Sequence, residues 1–260
     1  MNREPAVAGL FYPKNPAILR QEIADLINAS QRYDLLPKAL IVPHAGYIYS
    51  GPIAASAYTH LQNLKDAINT VILIGPAHHV HVDGLAASSA SFFKTPLGKV
   101  PVSQEINARL INKFKFVRYN DNAHLPEHCL EVQIPFLQTL LKDFEIVPLL
   151  FGNSSTGQVC DVLEALWEDS AILIVISSDL SHYHDYQTAR LIDKNTTKAI
   201  EMYASETIDN EMACGHTAIG GCLQSAKKHH LQVHTVDLRN SGDTQGDKDR
   251  VVGYGAYLFT

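Results

Sequence analysis

The feature of the sequence that most constrains the fold is a regular alternation of short apolar segments with longer amphipathic ones. Several apolar segments are rich in Ile, Val and Leu without period-two alternation, which is typical of strands covered on both faces. The predicted strands are Ala39–Val42, Thr70–Ile74, Gly84–Ser88, Glu145–Phe151, Ala171–Ser177, Gln232–Leu238 and Val251–Phe259. The last strand carries Gly253 and Gly255, which indicates a twisted or antiparallel edge strand.

The amphipathic segments are predicted to be helices. The first begins at Asn15-Pro16, a capping residue followed by a first-turn proline. The other predicted helices are Gly51–Leu61, Ser103–Phe114, Glu131–Lys142, Thr156–Glu168, Ala189–Tyr203 and Thr217–Lys228. Strands that alternate with helices predict an α/β protein, a three-layer α/β/α sandwich around a largely parallel or mixed sheet. Because the chain shows no repeat, low-complexity segment or convincing linker, residues 1–260 are expected to form a single domain.

Composition narrows the classes of partner. The net charge of −6 and the lack of a long basic run argue against nucleic acid and anionic membrane as partners. The charged start of the chain is unlike a signal peptide, and every apolar run is too short to span a membrane. The four cysteines form no Cys-x-x-Cys pair, which fits a reducing cytoplasm. We therefore expect a cytoplasmic protein whose partner is a small-molecule substrate; the oligomeric state stays open, a homo-oligomer included.

Three predicted strands end in loops that carry polar side chains. The first loop contains His44, the second contains His78 and His79, and the third contains Asp179 and His182. In open α/β sheets, ligands bind in the crevice outside the carboxyl ends of the strands. If the three strands are parallel neighbours, these side chains meet at one edge of the sheet and form a polar pocket.

Two helix starts add candidates to this pocket. His128 and Glu131 are spaced i, i+3 at the start of one predicted helix. Cys214 and His216 precede another, where the positive end of the helix dipole favours a thiolate. Tyr47, beside the first loop, is interpreted as pocket wall or packing.

Each candidate also has a purely structural interpretation. His44 fits a turn histidine packed against Pro43, and His79 fits a surface residue beside His78. Asp179 fits a turn cap, because Asp and Ser side chains cap turns routinely. His128 and Glu131 fit a salt bridge at a helix start, and Cys214 fits a small buried hydrophobe. Cys129, Cys160 and Cys222 fall on apolar helical faces and are interpreted as core. The case for a site therefore depends on joint placement.

The absence of several known motifs argues against some classes of enzyme. The sequence has no Gly-x-Ser-x-Gly elbow, no Walker loop and no Gly-x-Gly-x-x-Gly. A cysteine hydrolase that uses Cys214 with a nearby histidine stays open. Metal chemistry is favoured, because several separated histidines plus a thiolate exceed what a cysteine dyad needs. A nitrogen-and-sulfur set suits iron(II), copper or zinc rather than magnesium or calcium.

At these same residues the sequence resembles the Memo family, named for a mediator of cell motility, whose bacterial and archaeal members form the AmmeMemoRadiSam group. The resemblance covers essentially the whole chain through ordered motifs. These are Arg3–Pro13, Pro43-His44-Ala45-Gly46-Tyr47, Gly75-Pro76-Ala77-His78-His79, Glu127–Phe136, Ser177–Tyr183, Cys214-Gly215-His216 and Val251–Ala256.

The resemblance implies a fold like that of the class III, or extradiol, non-haem iron dioxygenases. It also implies that the protein binds one transition-metal ion, iron or copper; zinc is a further candidate. Carried over by motif, the implied ligands are His44, His78 and Cys214. His182, Asp179 and His128 match pocket positions; His182 or His128 is expected to donate or accept protons, and Asp179 is expected to fix an imidazole tautomer. The remaining pocket candidates are His79, Tyr47, Glu131, His216 and Cys129. Because the dioxygenases have a carboxylate where this family has cysteine, ring cleavage is not carried over. The expected function is a metal-dependent oxidoreductase; a non-catalytic metal- or peptide-binding module and a metallo- or thiol hydrolase are the alternatives.

Overall fold

The computed structural model describes residues 2–260 as an α/β protein with helices on both faces of a mixed, largely parallel sheet. The strands are β1 Asn2–Arg3, β2 Ala39–Val42, β3 Thr70–Pro76, β4 Leu85–Ala87, β5 Phe92–Thr95, β6 Gly98–Pro101, β7 Val117–Tyr119, β8 Glu145–Phe151, β9 Ile172–Ser177, β10 His182–His184, β11 Val233–Asn240 and β12 Val251–Phe259. The helices are α1 Pro16–Ala29, α2 Tyr47–Tyr58, α3 Gln104–Lys113, α4 Asp121–His124, α5 Ile134–Leu140, α6 Thr156–Glu164, α7 Tyr186–Glu201 and α8 His216–Lys228.

The centre of the main sheet is a block of four parallel strands in the order β2-β9-β3-β8. Strand β4 pairs antiparallel with β8, and β7 continues parallel to β4. On the other side, β12 pairs antiparallel with β2, β10 and β11. A separate three-stranded sheet contains β1, β5 and β6. The predicted largely parallel sheet is confirmed, and within it β9 lies between β2 and β3 and is parallel to both.

Each buried strand divides its side chains between two apolar cores. In β2, Leu40 and Val42 pack in the core with α1, α2 and α5, whereas Ala39 and Ile41 face the core with α3, α6, α7 and α8. Burying one such aliphatic side chain contributes about 1.5–3 kcal/mol, so these continuous apolar runs specify a sheet covered on both faces. No helix among residues 2–260 is both long enough and apolar enough to cross a membrane.

Several predicted boundaries differ from the structure for local reasons. Helix α2 begins at Tyr47 rather than Gly51, with Pro52 inside the helix. The predicted helix from Glu131 is a 3-10 turn over Glu131–Gln133 followed by α5, where Pro135 occupies the first turn. The predicted edge strand β12 is antiparallel but interior, because it has partners on both sides. The short strands β1, β5, β6, β7 and β10 were not predicted, since segments of two to four residues show little periodicity.

The N-terminal segment before α1 is held against the core by one buried carboxylate. Glu131 is fully buried and pairs with the buried guanidinium of Arg3. It also accepts hydrogen bonds from the Ala6 and Val7 amides, at 2.7 and 3.0 Å, and from the Tyr12 hydroxyl at 2.5 Å. These contacts place the turn containing Leu10 and Phe11 beside the carboxyl ends of the central strands.

Candidate metal centre

The loops that follow β2, β3 and β9 lie at the same edge of the sheet, because these parallel strands are neighbours. They carry His44, His78 and Asp179, and a fourth segment brings His128 to the same place. The ring centroids of His44, His78 and His128 are 4.9–5.5 Å apart. One nitrogen from each of these three rings lies within 4.8 Å of the other two, a spacing that one metal ion could bridge.

A chain of hydrogen bonds fixes the tautomer of His44. Its Nδ1 lies 2.9 Å from the Ser177 hydroxyl oxygen. That hydroxyl donates its single proton to the Cys129 carbonyl at 2.7 Å and accepts from Gln133 Nε2 at 2.9 Å. It therefore accepts a second hydrogen bond from His44 Nδ1–H. The lone pair of His44 is left on Nε2, the nitrogen that faces Cys214 and Asp179.

Glu127 does the same for His78. Its Oε1 accepts from His78 Nδ1 at 2.9 Å, and its Oε2 accepts from the His78 amide at 2.7 Å. The amides of His128 and Cys129 also donate to Oε1, and His128 Nδ1 lies 3.3 Å from it. A carboxylate behind a histidine orients the ring and raises its basicity as a metal ligand. Glu127 thus leaves Nε2 of His78 available as a donor to a metal.

The electrostatics keep the rings of His44 and His128 in the neutral form that binds metals. Burial, together with the nearby His78, lowers the pKa of His44 to about 3. Burial and the neighbouring His44 lower the pKa of His128 to about 4. Burial alone would raise the pKa of Glu127, but the hydrogen bonds and charge of His78 hold it well below its ordinary value. At neutral pH the cluster therefore combines neutral His44 and His128 rings with one carboxylate.

Cys214 lies at the start of α8 against this cluster. Its Sγ is 3.4 Å from His44 Nε2 and 3.7 Å from the Asp179 carbonyl oxygen. Burial and the charge of Asp179 raise the pKa of its thiol to about 12. The sulfur contacts His44 but is not within 4.8 Å of all the histidine donors, so joint coordination by His44, His78 and Cys214 requires a movement of side chains.

Asp179 and His182 complete the polar groups of the site. Asp179 accepts a hydrogen bond from the His44 amide at 2.7 Å, and its second oxygen lies 3.9 Å from His44 Nε2. Burial raises the pKa of this carboxyl, and the hydrogen bond from His44 opposes that shift. His182 is half-buried in β10 and lines the cleft above the cluster. Both residues therefore line the cleft beside the three histidines.

A cleft of about 620 Å³ opens above the cluster. Its floor contains His44, His78, His128, Asp179 and His182. Its walls are formed by Leu10, Phe11, Ile48, Tyr49, Tyr183, Asp247, Arg250 and Tyr254, together with neighbouring residues. A pocket of this size accommodates a small organic molecule.

The other predicted pocket residues lie around this floor rather than on it. His79 is exposed, with its ring 6.0 Å from that of His128. Cys129 is fully buried and its thiol donates to the Pro76 carbonyl at 3.2 Å. The Tyr47 hydroxyl donates to the Val132 carbonyl within the core, and His216 contacts Thr217. Glu131 holds the N-terminal segment instead of facing the cleft.

Sequence reasoning placed Glu127 and Ser177 in segments of the pocket without giving either a contact to a histidine, and it overlooked Arg250. It paired His128 with Glu131 through helical spacing, but residues 127–130 are not helical, so that spacing does not apply. Adjacency to His128 was the available signal for Glu127. The hydrogen bond from His44 to Ser177 joins residues far apart in the chain, and no local pattern indicates it.

Comparison with known proteins agrees with the sequence motifs. Residues 3–258 match the family of Memo-like proteins. A MEMO1 family protein of Sulfolobus acidocaldarius is 36% identical over 293 residues, covering 100% of this chain and 99% of that one. A MEMO1 family protein of Aquifex aeolicus is 36% identical over 269 residues, covering 99% and 98%. Another, from Thermotoga neapolitana, is 34% identical over 275 residues, covering 98% of each. The chain belongs to the Memo-like protein family.

Proposed function

We propose that the chain is a metal-dependent oxidoreductase that holds one iron or copper ion, with zinc as the redox-inactive alternative, and acts on a small organic molecule. The observation that supports the proposal is the convergence of three imidazoles beside a thiol at the floor of an open cleft. Neutral imidazole and thiolate donors are the set that iron(II), copper and zinc prefer. The fold that goes with this proposal is that of the class III non-haem iron dioxygenases.

The proposed ligands are His44, His78 and Cys214. The tautomers fixed by Ser177 and Glu127 leave Nε2 of both histidines as donors. A bound cation would compensate the loss of the Cys214 proton, which burial otherwise opposes. The ion would supply Lewis acidity and a route for electrons to a molecule in the cleft.

The remaining polar groups would handle protons and position the substrate. His128 is neutral and stacks on His78 with ring centroids 4.9 Å apart, so it can hydrogen-bond to a molecule beside the ligands. His182 lines the cleft from β10, and Asp179 accepts a hydrogen bond from the His44 amide. The chain thus offers imidazoles outside the proposed ligand set that can exchange protons or hydrogen bonds with a molecule in the cleft.

One observation weighs against the thiol hydrolase. A nucleophilic cysteine needs a thiolate stabilised by an imidazolium. Here burial raises the pKa of Cys214 to about 12 and lowers that of its partner His44 to about 3, so the metal-free pair favours the neutral thiol and the neutral ring. The other alternative, a module that binds the metal without catalysis, would have the same site as the oxidoreductase and would differ from it only in showing no turnover.

Anaerobic titration of iron(II) and copper(I) into wild type, Cys214→Ser and His182→Ala tests the ligand set. Cys214→Ser replaces a soft sulfur with a hydroxyl that stays protonated, so we expect at least a tenfold loss of copper(I) affinity with folding intact. His182→Ala, in the same cleft but outside the ligand set, is expected to bind both ions as wild type does. If Cys214→Ser binds normally and His182→Ala does not, the ligands are three histidines and the hydrolytic alternative is favoured. Oxygen consumption by the loaded protein then separates the oxidoreductase from the binding module.

A further inference from the structure

The mouth of the cleft gathers exposed apolar side chains. Leu10, Ile48, Tyr49 and Tyr183 are exposed to 81, 59, 38 and 63%. They are four of the eleven large hydrophobic residues exposed among residues 2–260, and all four line this one cleft. Solvent exposure of apolar area is unfavourable, so its concentration at a single opening indicates a surface that contacts a ligand.

Tyr183 occupies the mouth in a strained backbone conformation. Its φ is 62°, a left-handed value that costs a non-glycine residue about 1–2 kcal/mol. The pairing of β10 with β12 is irregular at the same point, between His182 and His184. Strain of this kind is kept where a function requires it, and here it presents the ring of Tyr183 at the cleft.

Arg250 places a positive charge against this ring. Its guanidinium carbon lies 5.1 Å from the Tyr183 ring centroid. It is the only Arg or Lys lining the cleft among residues 2–260, and no carboxylate in that part of the chain lies within 4.0 Å of it. Asp247 also lines the cleft, and its Oδ1 accepts hydrogen bonds from the amides of Asp249 and Arg250 at 3.0 and 3.3 Å instead of pairing with the guanidinium. The guanidinium therefore keeps its donors available for a ligand.

We infer that the cleft binds an amphiphilic organic anion, whose carboxylate or phosphate group pairs with Arg250 and whose apolar body lies along Leu10, Ile48 and Tyr49. A guanidinium stacked on an aromatic ring is pre-organised to bind a planar oxyanion through two hydrogen bonds. The rest of the ligand would extend down to the histidines at the cleft floor. This inference names the substrate class for the proposed function and rests on it only in sharing the same cleft.

Two dyes test the inference in metal-free protein. Anilinonaphthalene sulfonate has an apolar aromatic body and one anionic group, and phenylnaphthylamine is the same molecule without the sulfonate. Both fluoresce on entering an apolar site. We expect Arg250→Gln to weaken the sulfonate dye about tenfold, the equivalent of one charge-assisted hydrogen bond, and to leave the neutral dye unchanged. Leu10→Ser should weaken both dyes, which locates them in this cleft.

Lys248→Gln is the matched control, because it removes the same charge from the same turn at a side chain that stacks on Tyr186 instead of lining the cleft. It should leave both dyes unaffected. Equal loss in Lys248→Gln and Arg250→Gln would mean that only overall charge matters and would overturn the inference, as would normal binding of the sulfonate dye to Arg250→Gln. Titrations with a short-chain carboxylate and its phosphate counterpart as competitors then distinguish the two anionic groups. Since no metal is present, failure here leaves the metal titration to judge the proposed function separately.

Discussion

At the scale of single residues, the candidate metal centre depends on which nitrogen of each histidine carries its proton. Ser177 and Glu127 decide this for His44 and His78 by accepting the Nδ1 protons. Glu127 is 2% exposed, and its hydrogen bonds with His78 and the amides of His128 and Cys129 stabilise its charge. A ligand histidine whose outer nitrogen lacks an acceptor can adopt the wrong tautomer.

Glu127→Gln should weaken metal binding without unfolding the protein. The amide group places an N–H donor where either the ring or the amide of His78 donates, so one hydrogen bond is lost. Loss of such a supporting contact lowers metal affinity about 10–100-fold. Competition titrations with a chelator measure this. Glu164→Gln is the control, because Glu164 also pairs with a histidine, His229 at 3.2 Å, but away from the cleft. Equal affinities in all three proteins would show that Glu127 does not set the His78 tautomer.

At the scale of elements, Cys214 reaches the cluster because the turn before α8 packs closely on the end of β9. The Gly215 amide donates to the Ser178 hydroxyl at 2.9 Å. A Cβ on Gly215 would lie 2.5 Å from that hydroxyl oxygen and 3.1 Å from the Ser177 carbonyl oxygen. Both neighbours belong to the strand end that also carries the Ser177 contact to His44, so neither can move freely.

Gly215→Ala should therefore separate α8 from β9 and move the Cys214 sulfur away from His44. Overpacking at a site of this kind costs about 1–3 kcal/mol, measurable by urea denaturation, and copper(I) affinity should fall with it. Gly157→Ala is the same change in the first turn of α6, where the nearest side-chain atom is 3.8 Å away. It should be neutral or stabilising by up to about 1 kcal/mol, since alanine favours the helix. A stable Gly215→Ala protein with normal copper binding would contradict this account of the turn.

At the scale of the whole molecule, burying several neutral histidines makes stability depend on pH. The pKa values of His44, His124 and His128 are lowered to about 3, 4 and 4, in each case chiefly by burial. In the unfolded chain a histidine takes up a proton near pH 6.5. Between that pH and about 4 the unfolded state binds more protons than the folded one, so acid favours unfolding.

The free energy of unfolding of metal-free protein should thus fall as the pH drops from 6.5 towards 4. Each of the three histidines contributes about 1.4 kcal/mol per pH unit at most. Urea denaturation across this range measures the slope, and His128→Gln should make it shallower by about one proton. An identical slope in wild type and His128→Gln would mean that His128 takes up its proton in the folded protein as well, against the effect of its burial beside His44.

The sequence alone determined the alternation of strands and helices, the polar loops after β2, β3 and β9, and the family. Those features are local. Runs of Ile, Val and Leu indicate which strands are buried on both faces, and Gly and Pro indicate where these strands end. The family motifs contain His44, His78, Asp179 and Cys214, so the sequence also identified these four residues as candidates for the site.

Only the tertiary structure decided how those side chains are oriented and what surrounds them. It assigned the carboxylate behind His78 to Glu127 and gave Glu131 to Arg3. In the folded chain the side chain of Tyr47 lies in the core, and Arg250, near the end of the chain, lines the cleft. The physical reason is that hydrogen bonds and ion pairs form between groups adjacent in space. Such contacts join residues 49 to 133 positions apart here, and no periodicity in the sequence encodes them.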